Sequence, residues 1–326
     1  MITKIYFSTS YLNLLLIPIS FFYIIIVHIR YIIYYFNILP IWKAPIPIII
    51  VGNITIGGTG KTPVVIWLVK KLLKKGYKVG VISRGYKSKS KTYPLLIDTY
   101  IDTKIIGDEA ALIYRKTGVP IAIAPKRIEA VKILLKFKKL DIIISDDGLQ
   151  HYSLYRNYEI IVIDGTRRFG NNLFLPAGPL RECQYRLKTV NAIIVNGGMP
   201  KKGEFSMHLN GKIAINMLTK KKIVVNKLKK VVAIAGIGNP NRFFLNLNLL
   251  NVDIIKTYSF IDHKDYKYSH LKKIVNKKET LLMTEKDAVK CFNFAKKNWW
   301  YLPVYAKIEK NGSNIILNDI EKILNS

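Results

Sequence analysis

Residues 11–28 read YLNLLLIPISFFYIIIVH, with no Asp, Glu, Lys or Arg among them. The stretch approaches the ~20 apolar residues that a membrane-crossing helix needs, and Pro18 inside it is better tolerated in lipid than in water. Arg30, Tyr31, Tyr34, Tyr35 and Phe36 follow, a composition suited to the membrane–water interface, and no small-residue cleavage site appears. The pattern predicts an N-terminal membrane anchor rather than a removable signal; an interfacial or buried helix is the competing reading. Lys4 lies on one side and Arg30 and Lys43 on the other, which places the bulk of the chain on the cytoplasmic face.

From residue 45 the pattern changes. IPIIIVGN (46–53) is a continuous β-branched run entering a glycine-rich turn, the signature of a buried strand. Val64, Val65, Leu68, Leu72 and Leu73 then recur at helical spacing over 61–75, stopped by Gly76. Further buried strands are predicted at 78–83, 120–124, 141–145, 159–164 and 191–196, with helices at 108–116 and 126–138. Strands alternating with helices imply a mostly parallel sheet covered on both faces. Around 201–222 the pattern is shorter and hairpin-like, and at 231–240 a second strand–glycine turn–helix begins. Strands near 252–259 and 280–284 and a helix at 286–297 complete it. The expected organisation is an anchor at 1–40, an α/β unit at 41–205, a hairpin-like linker at 206–228 and a smaller α/β unit at 229–326.

Gly57-Gly58-Thr59-Gly60-Lys61-Thr62 sits between the first strand and helix. Glycines there let backbone N–H groups approach phosphate oxygens, Lys61 would reach the β- and γ-phosphates, and the Thr62 hydroxyl would ligate Mg²⁺. The usual pattern has Gly where this chain has Thr55, so the loop is a variant. The adjacent carboxylates of Asp146-Asp147 close an apolar strand, where phosphate-loop proteins hold magnesium. Asp108-Glu109 taken alone is an ordinary helix cap, and Asp262-His263 taken alone an ordinary surface loop. The segment 176–182, PAGPLRE, is too constrained in sequence for a flexible linker.

Composition adds limits. Half of the 326 residues are hydrophobic, which excludes a disordered chain. Lys and Arg outnumber Asp and Glu by 52 to 21. The lysines are spread along the chain without a finger, an aromatic RNA-binding pattern or a basic arm, so no nucleic-acid partner is expected. An anionic lipid surface or substrate accounts for the charge equally well. Cys183 and Cys291 have no metal or disulfide spacing.

Taken in order, GNITIGGTGKTP (52–63), SRGYK (83–87), GDEA (107–110), DDGLQH (146–151), LPAGPLRE (175–182), AGIGNP (235–240), FIDHKDY (260–266) and MTEKDAVK (283–290) resemble one family, the tetraacyldisaccharide 4′-kinases of lipid A synthesis. The resemblance runs to about residue 305. It implies a phosphate-loop three-layer α/β/α unit, a second smaller α/β/α unit, a two-stranded link and an N-terminal membrane helix. It further implies transfer of the ATP γ-phosphate to the 4′-hydroxyl of a tetraacylated disaccharide 1-phosphate, giving lipid IVA, at the cytoplasmic face of the bacterial inner membrane. FIDH and GDEA each depart from the family's wording by one residue, with no loss of a chemically active side chain. No protein partner is implied.

On that resemblance Thr55, Ile56, Gly57, Gly58, Thr59, Gly60, Lys61 and Thr62 bind ATP. Asp108 is the expected base, paired with His263, and Lys61 serves the transferred phosphate. Thr62, Glu109 and Asp147 are the expected magnesium ligands. Asp146, Gln150, His151, Arg127, Arg181 and Glu182 are expected at the lipid substrate. The alternatives are a phosphate-loop kinase for another membrane lipid or sugar, and a membrane-tethered ATPase of assembly or metal-chaperone type.

Overall fold

The computed structural model describes Tyr6, residues 11–99 and residues 102–326; apart from Tyr6, the first ten residues of the expected anchor, Lys4 among them, lie outside this part. Helix α1 (Tyr11–Tyr35) carries Pro18 within it. Its apolar residues point outward, with Leu15 75 % and Phe22 67 % exposed, while Asn13 and Ser20 are buried against the rest of the chain. Asn13 and Ser20 thus face inward while their apolar neighbours face outward, the reverse of a soluble surface helix. The span Asn13–Tyr35 has a mean hydropathy of 2.0 and is long and apolar enough to anchor in a membrane.

The chain then builds β1 (Ile48–Gly52), α2 (Lys61–Lys74), β2 (Val79–Ser83), β3 (Leu95–Ile97) and α3 (Thr103–Ile106). It continues through α4 (Asp108–Thr117), β4 (Ile121–Ile123), α5 (Arg127–Phe137), β5 (Ile142–Asp146), β6 (Tyr158–Asp164), β7 (Ala192–Asn196) and β8 (Phe205–Asn210). Strands β1, β5 and β6 are buried along their whole length because both faces of the sheet are covered. Ile49, Val51, Ile142 and Ile144 meet α2 and α4 on one face, while Ile48, Ile50, Ile143 and Ile161 meet α5 on the other.

A second run follows: β9 (Ile213–Asn216), β10 (Lys222–Val224), β11 (Val231–Ala235), α6 (Pro240–Leu249), β12 (Ile254–Ser259), α7 (Tyr268–Ile274), β13 (Thr280–Thr284), α8 (Glu285–Ala288) and β14 (Trp299–Leu302). These six strands form their own sheet, ordered β10-β9-β14-β13-β11-β12, with β11 to β14 parallel and β9 antiparallel beside β14. The chain then returns as β15 (Tyr305–Ile308) and α9 (Lys310–Asn325). β15 pairs antiparallel with β8 and completes a nine-stranded sheet in the order β15-β8-β7-β6-β1-β5-β2-β4-β3. Only its two edge pairings are antiparallel.

Three expectations are corrected. The segment 206–228 is not a separate linker: β8 belongs to the larger sheet, and β9 and β10 belong to the smaller one. The chain crosses between sheets twice, side by side, after β8 and after β14; a Cβ on Gly211 would lie 2.4 Å from the Pro303 carbonyl oxygen. Residues 305–326 likewise return to the larger unit, because Ile308, Ile316, Leu317 and Ile320 complete its core. The helix expected at 286–297 is a single turn, α8, followed by a 3₁₀ turn at Phe292–Phe294. Ala288, Cys291 and Ala295 pack into the smaller core and Val289 into the larger one.

Candidate active site

The phosphate loop leaves the carboxyl end of β1, the central strand, between β5 and β6. This is where a doubly wound sheet opens a ligand crevice. Gly60 caps α2 with φ 104°, and a Cβ there would lie 2.5 Å from Asn196 Nδ2. That amide, from the end of β7, donates to the Thr59 carbonyl at 2.9 Å and pins the loop. Thr55 is buried and bridges to Leu180, and the Ile56 N–H donates to the Pro179 carbonyl at 2.9 Å. Thr55, where the usual pattern has glycine, thus lies at the backbone join to PAGPLRE. With Thr55 and the Ile56 amide both tied to the 179–180 segment, the loop and PAGPLRE form one piece.

Lys61 Nζ donates to Asn53 Oδ1 at 3.2 Å and lies 3.6 Å from Asp147 Oδ1. Asp147 has a left-handed backbone (φ 49°), and its carboxylate takes Arg181 Nη1 at 3.1 and 3.2 Å. Burial alone would raise its pKa, but Lys61 and Arg181 outweigh burial and hold it far below the usual carboxylate range. Asp146 is the opposite case. Both its carboxylate oxygens are buried without a hydrogen-bond partner among the described residues. Burial, then the neighbouring Glu109 and Asp147 charges, push it up to about 7. A buried carboxylate with no donors is what a bound cation would satisfy. Thr59 Oγ1 and Ser145 Oγ are also buried and unpartnered there.

Two residues expected at the substrate have other occupations. Arg127 is 2 % exposed and donates to the carbonyls of Ala124 at 3.2 Å and Asp146 at 3.0 Å, so it braces the end of β5 from within. Burial lowers its pKa to about 10. Glu182 accepts from Gln150 Nε2 and Tyr152 Oη, each at 2.6 Å, and lies 3.6 Å from Arg186 Nε. Its carboxylate organises the loop from within. Gln150 also donates to the Asn53 carbonyl and receives Arg181 at 3.4 Å, so Gln150 and Arg181 stay beside the phosphate loop. His151 is half-buried, and burial followed by Arg127 and Arg84 lowers its pKa to about 3.

Opposite the loop the two sheets meet. Gly107 (φ 85°) turns the chain into α4, and a Cβ there would lie 2.9 Å from the Tyr86 carbonyl oxygen. Asp108 is therefore delivered at the first position of α4, pointing to the smaller unit. His263, itself left-handed at φ 63°, places Nδ1 3.1 Å from Asp108 Oδ2 under the Tyr86 ring. Such backbone strain at a bulky residue persists only where the surroundings impose it. Lys286 Nζ lies 3.2 Å from Glu109 Oε1, 3.3 Å from Asp262 Oδ1 and 3.3 Å from His263 Nε2. Since an ammonium only donates, the network assigns the His263 proton to Nδ1, shared with Asp108. Burial would lower the Lys286 pKa, but Glu109 and Asp262 outweigh it and raise it. Burial would likewise raise the Asp108 pKa; the His263 hydrogen bond and the Lys290 charge reverse the sign and lower it. The sequence reading missed Lys286 and Lys290. Their four-residue spacing in MTEKDAVK was the available signal.

A phosphate loop at the carboxyl end of a central parallel strand, an acidic strand end beside it and a carboxylate–imidazole pair joining the two units define a kinase that uses ATP. The family described as LpxK, tetraacyldisaccharide-1-P 4′-kinase, matches residues 12–321. A tetraacyldisaccharide 4′-kinase of Hamiltonella defensa is 50 % identical over 323 residues, covering 99 % of this chain and 98 % of that protein. The crystal structure of LpxK from Aquifex aeolicus in complex with ATP superposes with a TM-score of 0.79 at 28 % identity, covering 96 % of this chain and 99 % of that one. The chain belongs to the tetraacyldisaccharide-1-P 4′-kinase family.

Proposed function

We propose that this kinase transfers the γ-phosphate of ATP to the 4′-hydroxyl of a tetraacylated disaccharide 1-phosphate, with Asp108 as the base. The observation that carries the residue assignment is the Asp108–His263 pair, 3.1 Å apart and drawn from the two different sheets. In the proposed step the hydroxyl proton passes to Asp108 as the oxygen–phosphorus bond forms. The bond from the γ-phosphorus to the β–γ bridging oxygen breaks, and ADP leaves with that electron pair. Lys61 and the loop amides at 57–60 offset the phosphate charge, and His263 orients the base. Arg181, beside Asp147 and Gln150, is placed to meet acceptor or phosphate oxygens.

Mg²⁺ is implied by the family. The unpartnered Asp146 carboxylate fits it better than Asp147, which Arg181 and Lys61 already neutralise. Among the described residues no three His, Cys, Asp or Glu side chains converge as a metal cage, which agrees with the few protein ligands that Mg²⁺ takes beside ATP. Asp146 and Thr62 would hold it, with Glu109 and Asp147 close by. When bound it would shield the β- and γ-phosphates.

The exposed apolar face of α1 supports residence at a membrane, and the family's substrate supports the cytoplasmic face of the inner membrane. The family match disfavours the assembly or metal-chaperone ATPase. The test is ATP-dependent phosphorylation of the tetraacyl disaccharide 1-phosphate in mixed micelles, with Asp108→Asn and His263→Ala alongside. Both variants should lose kcat by at least about a hundredfold while ATP KM changes little. Absence of product from folded, ATP-binding wild type would overturn the substrate; near-normal kcat in either variant would overturn the pair.

A further inference from the structure

Lys290 has no part in the roles assigned above, yet it is the second donor to the proposed base. Its ammonium lies 3.0 Å from Asp108 Oδ2, the same oxygen that His263 Nδ1 reaches at 3.1 Å. Among the described residues no hydrogen-bond donor reaches Asp108 Oδ1. The lysine side chain is only 6 % exposed, so its position is set by what surrounds it.

Those surroundings belong to the smaller unit. Lys290 Nζ donates to the Lys264 carbonyl at 3.2 Å, lies 3.7 Å from Asp287 Oδ1 and stands over the Tyr266 ring at 5.6 Å. Asp287 in turn is fully buried and held by three donors: Gly236 N at 3.0 Å, Tyr266 Oη at 3.1 Å and Thr284 Oγ1 at 2.6 Å. A buried carboxylate with that many donors is rigid, so it fixes the ammonium in turn. Among the described residues, Asp108 is the one partner Lys290 takes from the larger unit.

We infer that Lys290 is a positioning residue for this kinase reaction: with His263 it saturates Asp108 Oδ2 and turns Oδ1 toward the acceptor hydroxyl. The inference rests on the reading of Asp108 as base. One hydrogen bond leaves a carboxylate free to swing about its last torsion. Two donors on a single oxygen, arriving from different backbone segments, define its plane. The side of the carboxylate left open is then the one from which it takes a proton. Because both donors come from the smaller unit, Asp108 is oriented only when the two units are in contact. Lys286, in α8, makes the parallel contact to Glu109, so two lysines four residues apart grip two consecutive carboxylates.

The test is a double-mutant cycle on the full-length enzyme, reading kcat and ATP KM in mixed micelles. Lys290→Met should lower kcat by about ten- to a hundredfold with ATP KM within about threefold. Lys290→Arg should recover part of the loss. In an Asp108→Asn background Lys290→Met should cost less than about threefold further, since a residue that acts through Asp108 has nothing left to position. Lys290→Gln takes the place of the methionine variant should the latter not fold, with the same expected coupling. The inference is overturned if the Lys290 variant keeps kcat within about twofold of wild type, or if it lowers kcat by the same factor in both backgrounds. Near-normal turnover by Asp108→Asn alone would remove the base reading and the inference with it. Loss in Asp108→Asn with no loss in the Lys290 variant removes the inference only.

Discussion

Ser20 sits on α1 but is bonded to the site. Its hydroxyl donates to the Phe174 carbonyl and accepts from the Ala177 N–H, both at 3.0 Å, and both Ser20 and Ala177 are buried. One turn further on, Tyr23 Oη donates to the Arg181 carbonyl at 3.3 Å. The helix therefore clamps the PAGPLRE segment from which Arg181 reaches Asp147. In Ser20→Ala the Ala177 N–H loses its partner with no access to water, a cost of about 1–3 kcal/mol. If that cost falls on opening of the 174–181 segment, its amides should exchange about 5- to 150-fold faster. Hydrogen exchange on detergent-solubilised protein, followed over peptides covering 173–182, measures this. Leu15→Ala on the exposed face of α1 is the control and should leave these peptides unchanged, Leu15 being 75 % exposed. Equal exchange in Ser20→Ala and wild type would refute the reasoning, and so would an equal acceleration in the Leu15 control. The same contacts imply that removing α1 unclamps Arg181.

Gly60→Ala should raise ATP KM about tenfold or more while the protein stays folded. The left-handed backbone alone costs a Cβ about 1–2 kcal/mol, and that Cβ would press on the Asn196 amide that holds the loop; an unchanged ATP KM would show that the loop relaxes freely. Asp146→Asn should flatten the pH dependence of stability of the metal-free enzyme. A carboxyl raised in the folded state stabilises it below the unfolded pKa of about 3.9, and that contribution is lost as pH rises through about 7. Denaturation midpoints in EDTA should therefore fall across that window for wild type and fall less for the variant, and parallel curves would refute the assignment. The same substitution should weaken the response of ATP binding to added Mg²⁺.

Two lysines and two acids tie the larger unit to the smaller one at their boundary. Asp108 lies at the start of α4 in the larger unit, whereas its donors His263 and Lys290 lie beyond the first crossing of the chain. Lys116 and Glu285, 2.8 Å apart, add a further ion pair between α4 and α8. These bonds are shielded from water, so they count for more than surface ion pairs of the same length.

The strands at 48–52, 79–83, 142–146 and 158–164, the helix after the phosphate loop and the apolar run of α1 were all legible in the sequence. Each rests on periodicity or on a local backbone requirement, such as the left-handed turn at Gly60, which a few neighbouring residues express by themselves. The order of motifs likewise carried the family. The tertiary structure alone decided which acid is unpartnered: Asp146 and Asp147 are neighbours in sequence, but only Asp147 meets Lys61 and Arg181. It also turned Arg127 and Glu182 inward, returned residues 305–326 to the larger sheet and brought Lys290 to Asp108. Asp108 and His263 are 155 positions apart. A contact over that separation leaves no trace in local pattern, because whether a charge is paired depends on which distant side chains the fold delivers to it.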